Sequence, residues 1–129
     1  MTAFHFELVS PEKLLFSGEV ESVVAPGADG QFTVLAHHAP VMTTLKAGVV
    51  TINGDEKLFV RGGFADVSEK GFTILAEQAI AVKDVSVAKL EQDIKDARED
   101  LADAKTEEAS RRAADALQQL QDLRAAIGG

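Results

Sequence analysis

The sequence predicts an α+β fold: an N-terminal antiparallel β-sandwich of about ten strands, then a C-terminal antiparallel α-helical hairpin. Three observations carry this. Up to Lys83, short runs of alternating apolar residues are separated by turn signals at intervals of about six to twelve residues, the pattern of a sandwich or barrel. At Asp84 the apolar spacing changes from two to three and four. Beyond that point only Lys105-Thr106 interrupts the helical pattern, too short a break to separate independent units. The chain therefore divides into a β domain over 1–83 and a helical hairpin over 84–129.

Phe4, Phe6 and Leu8 alternate with His5, Glu7 and Val9, giving a first strand that Ser10-Pro11-Glu12 ends. Residues 14–16 form a short second strand, and Ser17-Gly18 turns it into a third over 19–25. Asp29-Gly30 signals a hairpin, because glycine accepts the positive φ of a tight turn. Residues 31–34 alternate as a half-buried strand. His37-His38-Ala39-Pro40 is then a fixed, extended corner, since Pro40 keeps Ala39 out of the helical region. Lys46-Ala47-Gly48 makes another turn. Residues 49–52 and 58–60 flank Asn53-Gly54, a hairpin with positive φ where it is wanted. Residues 64–67 and 72–76 flank a second hairpin at Glu69-Lys70-Gly71, and 78–82 is the last strand. No stretch before Asp84 is long enough for a helical crossover, which argues against a parallel sheet. A domain of this size buries only about 60% of its unfolded surface and is modestly stable alone.

In the helical part, Val87, Leu90, Ile94, Ala97, Leu101 and Ala104 form one stripe, with Ser86 as candidate N-cap. Ala109, Ala113, Ala116, Leu117, Leu120, Leu123 and Ile127 form a second, with Thr106 as cap and Gly128-Gly129 as stop. Each helix is about 20 residues, or roughly 30 Å. Apart from four large apolar residues per helix the stripes are alanine. Burying a Leu gives about 1.5–3 kcal/mol and a methyl far less, against an ordering cost of about 1–2 kcal/mol per residue. The hairpin is thus marginal without a neighbour. A docked or mobile appendage and a permanently packed lid are both open.

Composition narrows the function classes. The chain is 46% hydrophobic and 26% charged, with net charge −8. That charge argues against nucleic acid or an anionic lipid surface as partner. With no Trp or Tyr, the chain lacks the usual platforms for stacking bases. The acid excess is spread evenly: six basic and ten acidic residues before position 84, seven and eleven after it. No apolar run approaches the roughly 20 residues of a membrane span, and no signal or transit peptide is expected. Having no cysteine excludes disulfides and thiolate metal sites.

Catalytic motifs are missing. There is no P-loop, no GxGxxG and no HExxH. The adjacent pair His37-His38 is ill placed to ligate one ion, and a turn with one exposed and one packed ring is expected instead. Ser86-Val87-Ala88-Lys89 spells S-x-x-K without the companion motifs of penicillin-binding enzymes, so Ser86 is read as a cap. The helical carboxylates are read as a solvated face. Neither an enzymatic activity nor a cofactor or metal is expected.

One ordered set of motifs is specific: Glu7-Leu8-Val9-Ser10-Pro11-Glu12, Phe16-Ser17-Gly18-Glu19-Val20, the turn from Pro26 to Gly30, His38-Ala39-Pro40, Leu45-Lys46-Ala47-Gly48, Gly62-Gly63-Phe64 and Ile74-Leu75-Ala76. With its helical tail, the chain resembles the epsilon subunits of bacterial and plastid F-type ATP synthases. The resemblance implies a non-catalytic rotor subunit of the central stalk. Its sandwich binds the gamma subunit and the ring of c subunits and helps couple proton flow to ATP synthesis, at the cytoplasmic face of the bacterial inner membrane, without membrane insertion. It also implies gamma contacts at Ser10, His38 and Thr43, and c-ring contacts at the tip formed by Asp29, Gly30 and Gln31.

The chain departs from the family at several positions. Gln31 stands where most relatives carry Glu, which removes a charge-assisted contact. Ala36-His37 replaces the usual Pro-Gly, which implies a locally different corner. The family's nucleotide motif, I/L-D-x-x-R-A, is degenerate at Val85, Ser86 and Lys89, because lysine lacks the guanidinium fork; nucleotide binding is not expected. In inhibitory relatives a basic second helix reaches the catalytic alpha/beta subunits. Here residues 107–127 hold three basic and four acidic side chains, so inhibition of ATP hydrolysis is expected to be weak or absent. Two other classes fit the residues: a coiled-coil adaptor or chaperone subunit, and a small β-sandwich ligand-sensing module.

Overall fold

Strict alternation over short runs builds a sheet, and two long strands fold that sheet into layers. The computed structural model describes residues 3–127. The chain falls into two compact units, Met1–Lys83 and Asp84–Gly129.

The described residues of the first unit form eight strands: β1 (Phe4–Ser10), β2 (Lys13–Val20), β3 (Ser22–Gly27), β4 (Gly30–Leu35), β5 (Val41–Thr44), β6 (Gly48–Ile52), β7 (Glu56–Ser68) and β8 (Gly71–Ala81). Their order is β2-β1-β8-β7-β6-β3-β4, with β5 paired to β7. The first half of β7 pairs with β6 and the second half with β5, while β8 accompanies both halves. β7 and β8 thus run through both layers. One layer is β2, β1, the start of β8, the end of β7, and β5. The other is the end of β8, the start of β7, β6, β3 and β4. Counted by layer, the eight strands supply the expected ten segments.

The crossing between layers lies at Gly62-Gly63, with φ of 70° and 119°. A side chain on Gly63 would overlap the Leu75 carbonyl oxygen, so glycine is required there. The alternate positions face inward: Phe6, Leu8, Ala65, Phe72 and Ile74 from one layer, and Val23, Ala25, Val34, Val50, Ile52, Leu58 and Val60 from the other. Each large side chain so buried contributes about 1.5–3 kcal/mol. Phe72 joins the layers, its ring 5.1 Å from that of Phe6 and 6.3 Å from that of Phe32.

Four details differ from the sequence expectation. Ser17-Gly18 does not turn the chain; Gly18 pairs with Phe6 and β2 continues to Val20. The corner falls at Glu21, where Asn53 Oδ1 accepts the amides of Glu21 (2.7 Å) and Ser22 (3.3 Å). β1 and β8 pair in parallel, since the whole domain, rather than a helix, serves as their connection. β5 follows the Pro40 corner as a strand the sequence did not suggest, and β8 ends at Ala81 in a 3₁₀ turn, Val82–Asp84.

The second unit contains α1 (Val87–Asp103) and α2 (Glu107–Ile127). Ser86 Oγ accepts the Lys89 amide at 3.3 Å, and Thr106 Oγ1 accepts that of Ala109 at 3.0 Å, so both expected caps form. Leu90, Ile94, Ala97 and Leu123 are buried, whereas Val87 is exposed. Arg124 Nε donates to Glu91 Oε1 across the two helices at 2.9 Å. The helices are unequal, 17 and 21 residues, because Ala104 is already extended. Gly128-Gly129, the expected stop, lies outside the described residues.

Candidate functional site

A small cleft begins with the β3–β4 hairpin. Gly27 pairs with Gly30, so the two-residue loop is Ala28-Asp29 rather than Asp29-Gly30, and Gly30 enters β4 with φ of 139°. The base of this hairpin is tied to the end of β5 by backbone bonds: Ala28 N donates to Thr44 O at 2.9 Å, and Lys46 N to Pro26 O at 3.0 Å. These bonds hold the tip beside β5 and leave a cleft of about 290 Å³. Asp29, Gly30, Gln31 and Phe32 line it from the hairpin; His38, Val41 and Thr43 line it from the β5 segment. The residues that the resemblance assigned to two partners thus share one cleft, with Ser10 excepted. Ser10 ends β1, and its Oγ donates to Lys13 O at 3.4 Å.

The corner leading to the cleft is unusual. His38 N donates to Leu35 O at 3.2 Å, closing a turn whose third residue, His37, has φ of 66°. A turn with positive φ at that place favours glycine. The expected local difference is therefore that a histidine occupies a left-handed position. Both imidazoles are exposed, which corrects the expectation of one packed ring: the turn projects both residues from the edge. His38 Nδ1 lies 2.6 Å from Ala39 O.

Next to the cleft, the outer face of the first layer carries a row that sequence reasoning missed. Leu14, Val9, Leu75, Phe64 and Thr44 are successive cross-strand partners over five strands. Leu14, Leu75 and Phe64 are 53–56% exposed and nearby Met42 70%, although apolar residues of this size usually face the core. The signal was there: Phe64-Ala65 and Ile74-Leu75-Ala76 place apolar residues on both parities of strands that otherwise alternate. Ser10 follows Val9 near one end of the row and Thr43 precedes Thr44 at the other, about three strand spacings or roughly 14 Å apart, with Thr43 opposite the inward-facing Ala65 and so on the other side of β5 from the row.

Polar residues form the adjoining rows: Ser17, Glu7, Thr73 and Asp66 in one, Glu19 and His5 in the next. His5 Nε2 lies 3.1 Å from Glu7 Oε2, and Nδ1 lies 3.2 Å from Glu19 Oε2. Hydrogen bonds to Glu7 and then Glu19 hold the imidazole above its ordinary value. Ser17 Oγ donates to the same Glu7 oxygen at 3.4 Å.

At the degenerate nucleotide motif, Ser86 is spent as the α1 cap, and Lys89 Nζ lies 3.4 Å from Asp93 Oδ1. Val85 precedes the cap and is half-buried. A second cleft, of about 480 Å³, is lined by His5, His37 and His38 together with Glu69 and Lys70. Among the described residues no group of three or more His, Asp or Glu could hold a metal ion. No helix among them is long and apolar enough to cross a membrane.

With this geometry in view, comparison with known proteins is decisive. Residues 3–82 match the family model described as ATP synthase, Delta/Epsilon chain, beta-sandwich domain. The chain is 57% identical to the ATP synthase epsilon chain of Mesorhizobium japonicum, over 97% of this chain and 96% of that one. The chain belongs to the ATP synthase epsilon chain family. A second member, from Hyphomonas neptunium, is 44% identical over 95% of both chains. The fold is also that of a chain in the Euglena gracilis mitochondrial ATP synthase, OSCP/F1/c-ring, with a TM-score of 0.79, 21% identity, and coverage of 97% of this chain and 81% of that one. As an epsilon chain it is a non-catalytic subunit of the ATP synthase.

Proposed function

We propose that this chain is a rotor subunit of the central stalk, joining the gamma shaft to the c ring and coupling proton flow to ATP synthesis at the cytoplasmic face of the bacterial inner membrane. The observation that carries this is the near-full-length identity to the Mesorhizobium japonicum epsilon chain. The 1–83 domain does the binding. Ser10, His38 and Thr43 face gamma, and so does the apolar row that runs from Leu14 to Thr44 on the outer face; Asp29, Gly30 and Gln31 at the hairpin tip face the c ring. An exposed row of Leu14, Leu75 and Phe64 supports a protein partner at this face, since isolated domains seldom leave contiguous apolar surface uncovered. Gln31 is neutral, so docking at the ring rests on shape and neutral hydrogen bonds.

The 84–129 hairpin inhibits ATP hydrolysis weakly or not at all. Its second helix carries Arg111, Arg112 and Arg124 against Glu107, Glu108, Asp115 and Asp122, and Arg112 and Arg124 are bound to Glu108 and Glu91. Little positive charge is left to hold an acidic segment of the alpha/beta subunits.

The test is reconstitution of synthase depleted of this subunit. Proton-driven ATP synthesis should return with the full chain. ATPase rate should change less than about twofold when the added chain ends at Val85. Failure to restore coupling overturns the rotor assignment; a several-fold faster ATPase with the shortened chain overturns only the weak-inhibition reading.

A further inference from the structure

The gamma-facing surface described above has two chemically distinct halves, and only the apolar half is explained by burial. Beside the row of Leu14, Val9, Leu75 and Phe64 stand three carboxylates, Glu7, Glu19 and Asp66, on the same outer face. Glu7 and Asp66 are both cross-strand partners of Thr73, so they flank β8 about 10 Å apart. Glu19 stands one strand beyond Glu7's, opposite His5.

No lysine or arginine among the described residues is ion-paired to any of the three. Among the described residues, the partners of Glu7 and Glu19 are His5, which bridges the two carboxylates, and Ser17, which donates to Glu7. The Asp66 carboxylate makes no hydrogen bond or ion pair among the described residues. A domain gains nothing in its own stability from clustering like charges uncompensated. With His5 neutral, such a cluster lowers free energy only when an opposite charge arrives from outside.

We infer that the acidic margin of Glu7, Glu19 and Asp66 docks against basic side chains of the gamma shaft, setting register and association rate while the adjoining apolar row supplies the contact area. This rests on the gamma-binding reading above and adds the chemistry of the partner: an apolar strip bordered on one side by lysine or arginine. An anionic lipid surface or an acidic protein segment is repelled by the same margin. Charges at an interface rim act mainly on association rate and are screened by salt, whereas the apolar core acts on dissociation.

The experiment measures association and dissociation rates of the full chain with purified gamma subunit at about 50 and about 500 mM NaCl. Four proteins are compared: the natural chain, a neutral triple variant (E7Q/E19Q/D66N), a charge-reversed variant (E7K/D66K) and Leu75→Asp. All substituted side chains lie on the outer face, and thermal melting confirms that each variant is folded. The natural chain should associate about threefold to tenfold faster than the triple variant at low salt, and the advantage should vanish at high salt. The charge-reversed variant should be slower still at low salt and should gain from added salt. Leu75→Asp should lose binding at both salt concentrations. Equal rates and equal salt dependence for the natural chain and the triple variant, with Leu75→Asp inactive, would overturn the acidic margin while leaving the gamma reading in place. No binding by the natural chain overturns both. Binding by Leu75→Asp at the natural level overturns the choice of face, and self-association of the natural chain through it points to a second copy as occupant.

Discussion

His5 shows how a single exposed residue gives the fold a pH dependence. Its imidazole is raised by Glu7 and Glu19, so protonated His5 is more stable in the folded chain than in the unfolded one. The contribution is fully present below the ordinary histidine value of about 6.5 and is lost as pH rises through the folded value. The natural chain should therefore melt above a His5→Gln variant at pH near 5.5, and the two curves should converge at pH near 8.5. A difference that stays constant between those pH values would contradict the assignment. His37 makes a different point. Holding a non-glycine residue at φ of 66° costs about 1–2 kcal/mol, while glycine costs about 0.5–1 kcal/mol in unfolded-state entropy. His37→Gly should leave urea-unfolding stability unchanged or higher by up to about 1 kcal/mol; a clear loss would mean that the imidazole makes a contact worth more than the strain. At this scale legibility depends on chemistry. Asn53-Gly54 announced itself, because both residue types favour positive φ, and both adopt it. A left-handed histidine leaves no such mark, and neither does the capture of the Glu21 amide by Asn53.

Among elements, β7 and β8 decide the architecture and were the hardest to read. Gly62-Gly63 looks like a turn between two short strands, since glycine pairs usually end strands. In the structure the same pair bends one 13-residue strand from one layer into the other, without losing register with β8: Arg61 faces Gln78 and Gly63 faces Ala76. A turn and a bend need the same residues; only the partner strand distinguishes them. Gly63→Ala sets a methyl against the Leu75 carbonyl and forbids a φ of 119°, so a loss of at least about 2 kcal/mol, seen as a lower urea midpoint, is expected. A variant as stable as the parent would show that the crossing tolerates a side chain and that glycine is there for another reason. The helical elements were easier. Their caps, stripes and break are all local signals, and Ser86 and Thr106 take the roles their positions suggested. The end of α1 at Asp103, ahead of an extended Ala104, had no local signal because no glycine marks it.

The whole molecule divides into two units: a sandwich, to which the proposed function assigns the gamma and c-ring contacts, and a helical pair with three internal ion pairs among the described residues, Lys89–Asp93, Glu108–Arg112 and Glu91–Arg124. The cleft between hairpin tip and β5 was legible residue by residue through the family motifs, but not as one cavity, because backbone bonds such as Ala28 to Thr44 connect segments far apart in sequence. The apolar row was present in the sequence as broken alternation and needed five strands in register to become a surface. The central claim is that this chain works as the stalk partner of gamma and the c ring. Its most direct test is affinity purification of the tagged chain from detergent-solubilised membranes of its source, followed by stoichiometry of what accompanies it. Gamma at one copy per chain, together with c subunits, is the predicted result. Recovery of the chain as a helix-linked oligomer free of ATP synthase subunits would contradict the account.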